Sequence, residues 1–419
     1  MKNADPLPLV AANPMAASIP RVALLLVCHS YPPVLGGSEI EAQRVCVALL
    51  RRGHDVTVLC AGGPPMPDAP RWVDPAGVPV RILGHRWPRI LRDYAFAAEV
   101  AWTLFRRRRH YQLVYFLMQG LHLAAGLPVA RSLGKPAVMK ISGSSIITLM
   151  RQSRMGRLEL RWLRKWAHRV MILNPGMAEE AAAAGFEPRH LLWMPNPVDT
   201  LEFAPCLPGR RAELRARLRI PAGAGVVVSV GRLAPEKELA SLIGAFAAVV
   251  RHAPDAMLVL VGDGPLRKHL EAQAEKLGLR ASVRFPGRQT PAEVCQWLQV
   301  ADVFALVSSN EGFPCSLAEA MSAGLPPVVS DIPANTQLID HGVHGLHARM
   351  GDAPSIAGAV LQLIGDPELR ARLGEAARRR VVENYSVDMV AERYDARGLR
   401  CPDCSRPKCC LSAESRRAG

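Results

Sequence analysis

The feature that most constrains this chain is a recurrence of short, unbroken Val/Ile/Leu runs separated by stretches of helical periodicity. Runs such as "DVTVLC" (55–60), "LVYFL" (113–117), "VVVSV" (226–230) and "MLVLV" (257–261) do not alternate with polar residues. Strands built from them have no face for water and need cover on both sides. Parallel strands between helical layers meet that demand. The pattern predicts strands near 21–28, 56–60, 112–117, 136–141, 169–173 and 191–195, and again near 225–231, 256–261, 282–286, 302–308 and 326–330. A chain of 419 residues exceeds what one core usually organises. The expected fold class is therefore α/β, with two Rossmann-like, doubly wound parallel-sheet domains.

Punctuation between the runs suggests the boundaries. Residues 1–20 form a proline- and alanine-rich lead-in, expected to be disordered; the first domain spans 21–205 and the second 206–385. The hinge is placed near 196–209, where prolines in "NPVDTLEFAPCLPG" break periodicity. A helix at 386–398 is expected to cross back to the first domain, ahead of a cysteine-containing basic tail at 399–419. The first helix opens at "GGSEIEAQ" (36–43), where Ser38 and Glu41 fit a capping box, and ends at Gly53.

Composition narrows the setting. No run approaches the roughly 20 apolar residues of a membrane span, and residues 1–20 lack a basic region followed by an apolar one. The expected location is cytoplasmic. Cys28, Cys46, Cys60, Cys206, Cys295 and Cys315 are scattered singly, as reduced thiols are, and "CPDCSRPKCC" (401–410) reads as an unstructured tail more readily than as a zinc site. Residues 1–200 hold 25 Lys or Arg against 13 Asp or Glu, whereas residues 201–397 hold 22 of each. Basicity confined to one half points to an anionic membrane surface or acidic acceptor rather than to nucleic acid.

Ligands of open parallel sheets bind beyond the carboxyl ends of the strands. Four strand ends carry informative residues: Gly231 and Arg232 followed by Lys237; the turn "GDGP" (262–265); "PGR" (286–288); and "EGFPCSLAEAMSAG" (311–324). Arg232 offers a planar fork of donors and Lys237 a compact charge, a pair suited to a diphosphate. The helix beginning near Ser316 aims free backbone N–H groups at the same region. Glu311 and Glu319 are then read as acceptors for sugar and ribose hydroxyls. Each feature has a plainer reading: Ser316 and Glu319 also fit a capping box, Glu311 a solvated loop carboxylate, Arg232 and Lys237 a surface pair, and "GDGP" an ordinary turn.

"GRLAPEK" (231–237), "VGDGP" (261–265), the E-x7-E element Glu311 to Glu319 and "MPNPVDTLEFAP" (194–205) resemble the motifs of glycosyltransferase family 4, and "PPVLGGSEIEAQRVCVALLRRGHDV" (32–56) resembles its amino-terminal region. The resemblance covers roughly residues 21–396. It implies the GT-B fold, two domains facing a central cleft, and a retaining, metal-independent transferase using a nucleotide-diphosphate sugar without a further cofactor. It also implies roles. Arg232 and Lys237 would bind the diphosphate, Glu319 the ribose, and Glu311 with the backbone of Gly312, Phe313, Pro314, Cys315, Ser316 and Leu317 the transferred sugar. Gly231, Gly262 and Arg288 would lie around the donor, Gly36 and Gly37 would close over the phosphates, and Ser142 and Asn174 would stand toward the sugar or acceptor. Departures occur at Ser142, Pro197, Ala334 and Gln337, where many relatives carry histidine, glycine, glycine and an acidic residue; they bear on sugar identity and acceptor geometry. A sugar-nucleotide epimerase and a catalytically silent nucleotide-sugar-binding protein are the alternatives.

The acceptor side carries one further pattern. Met155, Leu158, Trp162 and Trp166 recur at helical spacing beside Arg154, Arg157, Arg161 and Lys165. Such a helix either lies in a membrane interface or packs its tryptophans on its own domain. The basic segments "FRRRRH" (105–110) and "HRWPRILR" (85–92) favour the first, and with it a lipid-linked or glycan acceptor at the inner membrane face.

Overall fold

The computed structural model describes residues 21–395 except 34–35, 62–69, 85–86, 89, 118–119, 142 and 208. The lead-in, the cysteine-containing tail and Ser142 lie outside the described residues. Among those residues two sheets form. The first contains β1 (Ala23–Cys28), β2 (Asp55–Ala61), β3 (Arg71–Val73), β4 (Pro79–Leu83), β5 (Leu113–Leu117), β6 (Ala137–Lys140), β7 (Arg169–Ile172) and β8 (Leu191–Trp193), in the order β3-β4-β2-β1-β5-β6-β7-β8. The second contains β9 (Val226–Val230), β10 (Met257–Val261), β11 (Val283–Gly287), β12 (Val303–Leu306), β13 (Pro327–Ser330) and β14 (Leu346–Ala348), in the order β11-β10-β9-β12-β13-β14.

All eleven expected strands are present. The apolar runs are parallel strands buried on both faces, as in β5 and β10, where every residue is buried. Strands β3, β4 and β14 are additions that the sequence reading missed. They are short or half-exposed, and β3 pairs with β4 antiparallel. β3 and β14 stand at sheet edges and β4 next to one, where a strand needs no continuous apolar run because part of it stays wet.

The described residues fall into two compact units. One holds residues up to Ile141, Trp162–Met171 and those from Ala391 on; the other holds 143–161 and Ile172–Val390. The sequence reading drew the boundary between the domains at 205/206, whereas residues 143–161 and Ile172 onward pack with the second unit; the chain rejoins the first at Ala391, within the segment 386–398 expected to cross back. In the first unit that return is fastened by Asp395, which is buried and accepts hydrogen bonds from His54 Nε2 at 2.6 Å and from Arg52. In the second unit Val227, Leu258, Val303 and Val328 from four strands meet Ile243 and Phe246 of helix Leu239–His252 and Val360 of helix Ala353–Gly365.

The opening helix corrects an expectation. It runs Gly37–Arg51 with Gly36 at its N-cap and no side-chain cap, so Ser38 and Glu41 do not form a capping box. Glu41 instead turns inward, buried, and pairs with the equally buried Lys140 at the end of β6. A carboxylate facing an ammonium inside the core outweighs one facing an exposed backbone N–H, because little water screens the attraction.

Candidate active site

The order of the second sheet fixes where its site must lie. Chain progression runs β9, β10, β11 to one side and β12, β13, β14 to the other, so the switch in direction falls between β9 and β12. At that point the loops leaving two neighbouring strands part and open a crevice at their carboxyl ends. The segment after β9 brings Gly231, Arg232 and Lys237; the segment after β12 brings Ser308 and Glu311.

These groups converge. Lys237 Nζ donates to Glu311 Oε1 at 2.6 Å, and Ser308 Oγ donates to the same oxygen at 2.7 Å. The pair is mostly withdrawn from solvent, with side chains 17% and 10% exposed. Oε2 of Glu311 receives no hydrogen bond from any described residue, so one oxygen is fixed by the protein and the other is available to a hydroxyl. Arg232 is exposed and bonds Glu236 Oε1 at 2.5 Å. Burial alone would raise the Glu236 carboxyl, but its own backbone N–H, Arg232 and Lys237 outweigh that and hold it below the usual range. A pocket of about 230 Å³, open solvent at its mouth included, is lined by Ser229, Gly231, Arg232, Leu233, Lys237 and Leu306 among others.

The loop and helix that follow complete the geometry. Helix Cys315–Ser322 has Pro314 at its N-cap and no side-chain cap. Ser316 therefore sits inside the first turn, which removes the capping-box reading of Ser316 and Glu319. First-turn N–H groups such as those of Ser316 and Leu317 lack an intrahelical acceptor and remain available to an anion. Phe313 is buried, its ring 5.7 Å from that of Tyr385, and Leu317 is fully buried; both anchor the loop. Glu319 stands one turn further on and does not line the pocket. Its charge is felt at Cys295, whose thiol is pushed up to about 11, first by burial, then by Glu202, with Cys206 and Glu319 adding and Arg210 opposing.

The structure adds detail to the other sequence readings. Gly262, expected to lie around the donor, has its backbone at φ +137°, and a Cβ there would stand 1.9 Å from the Gly231 carbonyl oxygen. The missing side chain makes room for the neighbouring loop. Arg288 is exposed beside that turn, since Gly262 N–H donates to Gly287 O at 2.9 Å. Asn174, expected to face the sugar or acceptor, is 1% exposed and committed to partners within the protein. Its Oδ1 accepts Met177 N–H at 2.9 Å to cap helix Pro175–Ala183, and its Nδ2 donates to Gly312 O at 2.7 Å and to Ser144 Oγ at 3.0 Å. Asn174 thus positions the loop that carries Glu311. In the first unit, Gly36 and Gly37 stand at the start of helix Gly37–Arg51, and a Cβ on Gly37 would meet no described protein atom.

Several residues of this region escaped the sequence reading. Ser308, Ser330 and Asn335 are buried polar groups behind Glu311: Ser330 Oγ donates to Ser308 O, and Asn335 Nδ2 donates to Ser330 O at 3.0 Å. The available signal was a serine at or just beyond the end of an apolar strand, where a buried hydroxyl needs a partner. Ser144 donates to the Glu311 carbonyl, a pairing no spacing rule predicts.

Comparison with known proteins places this geometry. The lipopolysaccharide core biosynthesis glycosyltransferase LpsD of Rhizobium meliloti is 36% identical over 180 residues, 43% of this chain and 51% of that protein. The chain thus spans about half the length of that relative. The GDP-mannose-dependent alpha-(1-6)-phosphatidylinositol monomannoside mannosyltransferase of Mycobacterium tuberculosis is 27% identical over 401 residues, 91% of this chain and 99% of that protein. The crystal structure of Anabaena HepE in complex with UDP and glucose superposes with a TM-score of 0.75 at 22% identity, covering 90% of this chain and 99% of that one. The family model described as Glycosyltransferase Family 4 matches residues 35–201, and the model described as Glycosyl transferases group 1 matches residues 210–380. Together with the switch-point site and the two doubly wound sheets, these matches show that the chain belongs to glycosyltransferase family 4, group 1, with the GT-B fold.

Proposed function

We propose that this chain transfers a sugar, with retained configuration, from a nucleotide-diphosphate sugar to a lipid-linked or polysaccharide acceptor at the inner membrane face. The observation that carries the reading is the Lys237–Glu311 pair at the switch point of the second sheet, with Glu311 Oε2 left open beside the Gly231–Arg232 pocket. The donor class is supported by the HepE complex, which holds UDP and glucose, and by the GDP-mannose dependence of the mycobacterial mannosyltransferase.

In this reading Glu311 Oε2 accepts from a sugar hydroxyl, and Arg232 leaves Glu236 for the diphosphate. Arg232, Lys237 and the first-turn N–H groups of helix Cys315–Ser322 then face the charge that grows as the bond between anomeric carbon and diphosphate breaks. The acceptor oxygen bonds that carbon from the same face and gives up its proton to the departing diphosphate oxygen beside it. No metal or further cofactor enters the proposed chemistry. Glu319 is assigned to the ribose.

The membrane part rests on helix Arg154–Trp166. It buries Leu160 and Leu163 and leaves Met155, Leu158 and Trp162 in water, with Arg154, Arg157, Arg161 and Lys165 exposed beside them. Met155 and Leu158 of the stripe are thus largely uncovered, whereas Trp162 keeps 38% of its surface exposed and lies against the half-buried Trp166, ring centres 5.5 Å apart. A basic rim around exposed aromatic residues suits an anionic interface.

Incubation with radiolabelled UDP- and GDP-sugars plus a membrane extract tests the function. Label transferred to lipid or glycan supports it; donor bound but never transferred overturns it. A thermal-shift panel of nucleoside diphosphates identifies the base, since a ligand at about 100 times its Kd stabilises by about 2.7 kcal/mol.

A further inference from the structure

Helix Arg92–Arg106, in the first unit, is apolar on two opposite sides. One side is spent on the core, where Phe96, Val100 and Leu104 are essentially inaccessible. At 3.6 residues per turn, Leu91, Tyr94, Trp102 and Phe105 share the other side. All four are exposed, Tyr94 by 66% and Trp102 by 58%. The rings of Trp102 and Phe105 lie 6.1 Å apart. Scattered exposed hydrophobic residues are ordinary, but a continuous aromatic stripe opposite a satisfied core face marks a contact surface.

Charge identifies the partner. In the antiparallel pair β3–β4, Arg71 stands directly opposite Arg81. Like charges in that position are destabilising unless something else neutralises them. The helix adds Arg106 and Arg107 at its C-terminal end. Among the described residues, none of Arg71, Arg81, Arg106 and Arg107 has an ion pair or side-chain hydrogen bond. The crowding is felt: burial, then Arg107, then Arg71 lower Arg81, and burial, then Arg71, then Arg106 lower Arg107. Arg108 caps the end of the stripe, its guanidinium 4.9 Å from the Phe105 ring centre.

We infer that this helix face and the arginines of β3 and β4 form a docking surface for an anionic lipid bilayer. Leu91, Tyr94, Trp102 and Phe105 enter the headgroup boundary, and Arg71, Arg81, Arg106 and Arg107 meet lipid phosphates. Aromatic residues favour that boundary because one part of the ring system is apolar and another polar, and the arginine fork matches phosphate oxygens. The inference deepens the membrane part of the proposed function and is independent of helix Arg154–Trp166.

The test is cosedimentation of the full chain with phosphatidylglycerol/phosphatidylcholine vesicles and with pure phosphatidylcholine vesicles. Two double variants, Trp102→Ala/Phe105→Ala and Arg71→Gln/Arg107→Gln, alter exposed or unpaired side chains, and an unchanged thermal midpoint shows that each is folded. Wild type should prefer the anionic vesicles. Removing the aromatic pair should weaken partitioning at least tenfold at any salt concentration, by roughly the apolar area lost. Removing the arginine pair should weaken it by roughly 25-fold at low salt, about fivefold per charge, and little at high salt. Wild-type-like binding by both variants, with loss on Trp162→Ala/Met155→Ala, overturns the inference and leaves the membrane reading standing. Absence of wild-type binding overturns both and leaves sugar transfer to be judged on its own assay. Retention on a soluble anionic polysaccharide but not on vesicles, or a change of oligomeric state in the aromatic variant without vesicle binding, also overturns it.

Discussion

Lys140–Glu41 and Lys237–Glu311 are both lysine–glutamate pairs in strand-end regions, one in each unit, and their surroundings differ. The first is sealed, with side chains 0% and 4% exposed, inside a core that also buries Tyr115 and Tyr394. The second keeps a margin of exposure, borders a pocket, and leaves one carboxylate oxygen without a partner among the described residues. The sealed pair can only hold the fold, because no ligand reaches it. In the proposed function, the open pair is held firmly enough to keep its geometry and loosely enough to exchange a contact for substrate.

Substitutions can break this contrast at either end. Lys140→Met should cost about 3–5 kcal/mol, since it strands the Glu41 charge in the core, and Lys140→Met/Glu41→Met should recover most of that; urea unfolding measures both. Recovery with transfer retained confirms that the pair is structural. Glu311→Gln should lower kcat by about 10²–10³ while moving stability by only about 1 kcal/mol, and full turnover in that variant would refute the assignment. Asn174→Asp keeps an acceptor for the Met177 N–H but loses the donor to Gly312. Its stability should fall by about 1–3 kcal/mol, because a buried carboxyl oxygen then faces the Gly312 carbonyl, while kcat falls about tenfold, and a fall in stability with unchanged kcat would mark Asn174 as a cap alone.

The smallest effect is expected at Glu236. Its carboxyl is held below the ordinary range in the folded state, so its contribution is fully present above the unfolded value and lost as pH falls through the folded one. The Arg232–Glu236 pair is largely exposed, which limits the contribution to a few tenths of a kcal/mol. Glu236→Gln should therefore differ slightly from wild type near neutrality and converge with it in acid. If the same variant tightens nucleoside-diphosphate binding, Glu236 restrains Arg232 in the free protein.

The candidate site was legible only in part. Arg232, Lys237 and Glu311 announced themselves because polar residues that follow apolar strands at fixed spacing have few purely structural reasons to be there. The contact between Lys237 and Glu311 was not legible, because it depends on β9 and β12 becoming neighbours although 72 residues separate their last and first residues. Ser308, Ser330 and Asn335 were missed for a related reason. A buried hydroxyl or amide draws its meaning from the partner it finds, and only the fold sets Ser330 Oγ against the Ser308 carbonyl of another loop or turns Ser308 and Asn335 back on Glu311 and Ser330 within their own. The capping box at Ser38 and Glu41 failed because a local pattern was overridden by Lys140, 99 residues away.

The sequence by itself determined the class of architecture. Continuous apolar runs cannot be solvated on either face, so helices had to cover both sides of parallel strands, and that inference needs no knowledge of which strands pair. Tertiary structure alone decided the sheet order, which of two similar lysine–glutamate pairs faces a pocket, and which side of helix Arg92–Arg106 remains in water. Those outcomes depend on distances between residues remote in the chain, and the strength of a charge pair or an apolar contact depends on how much water the fold leaves around it.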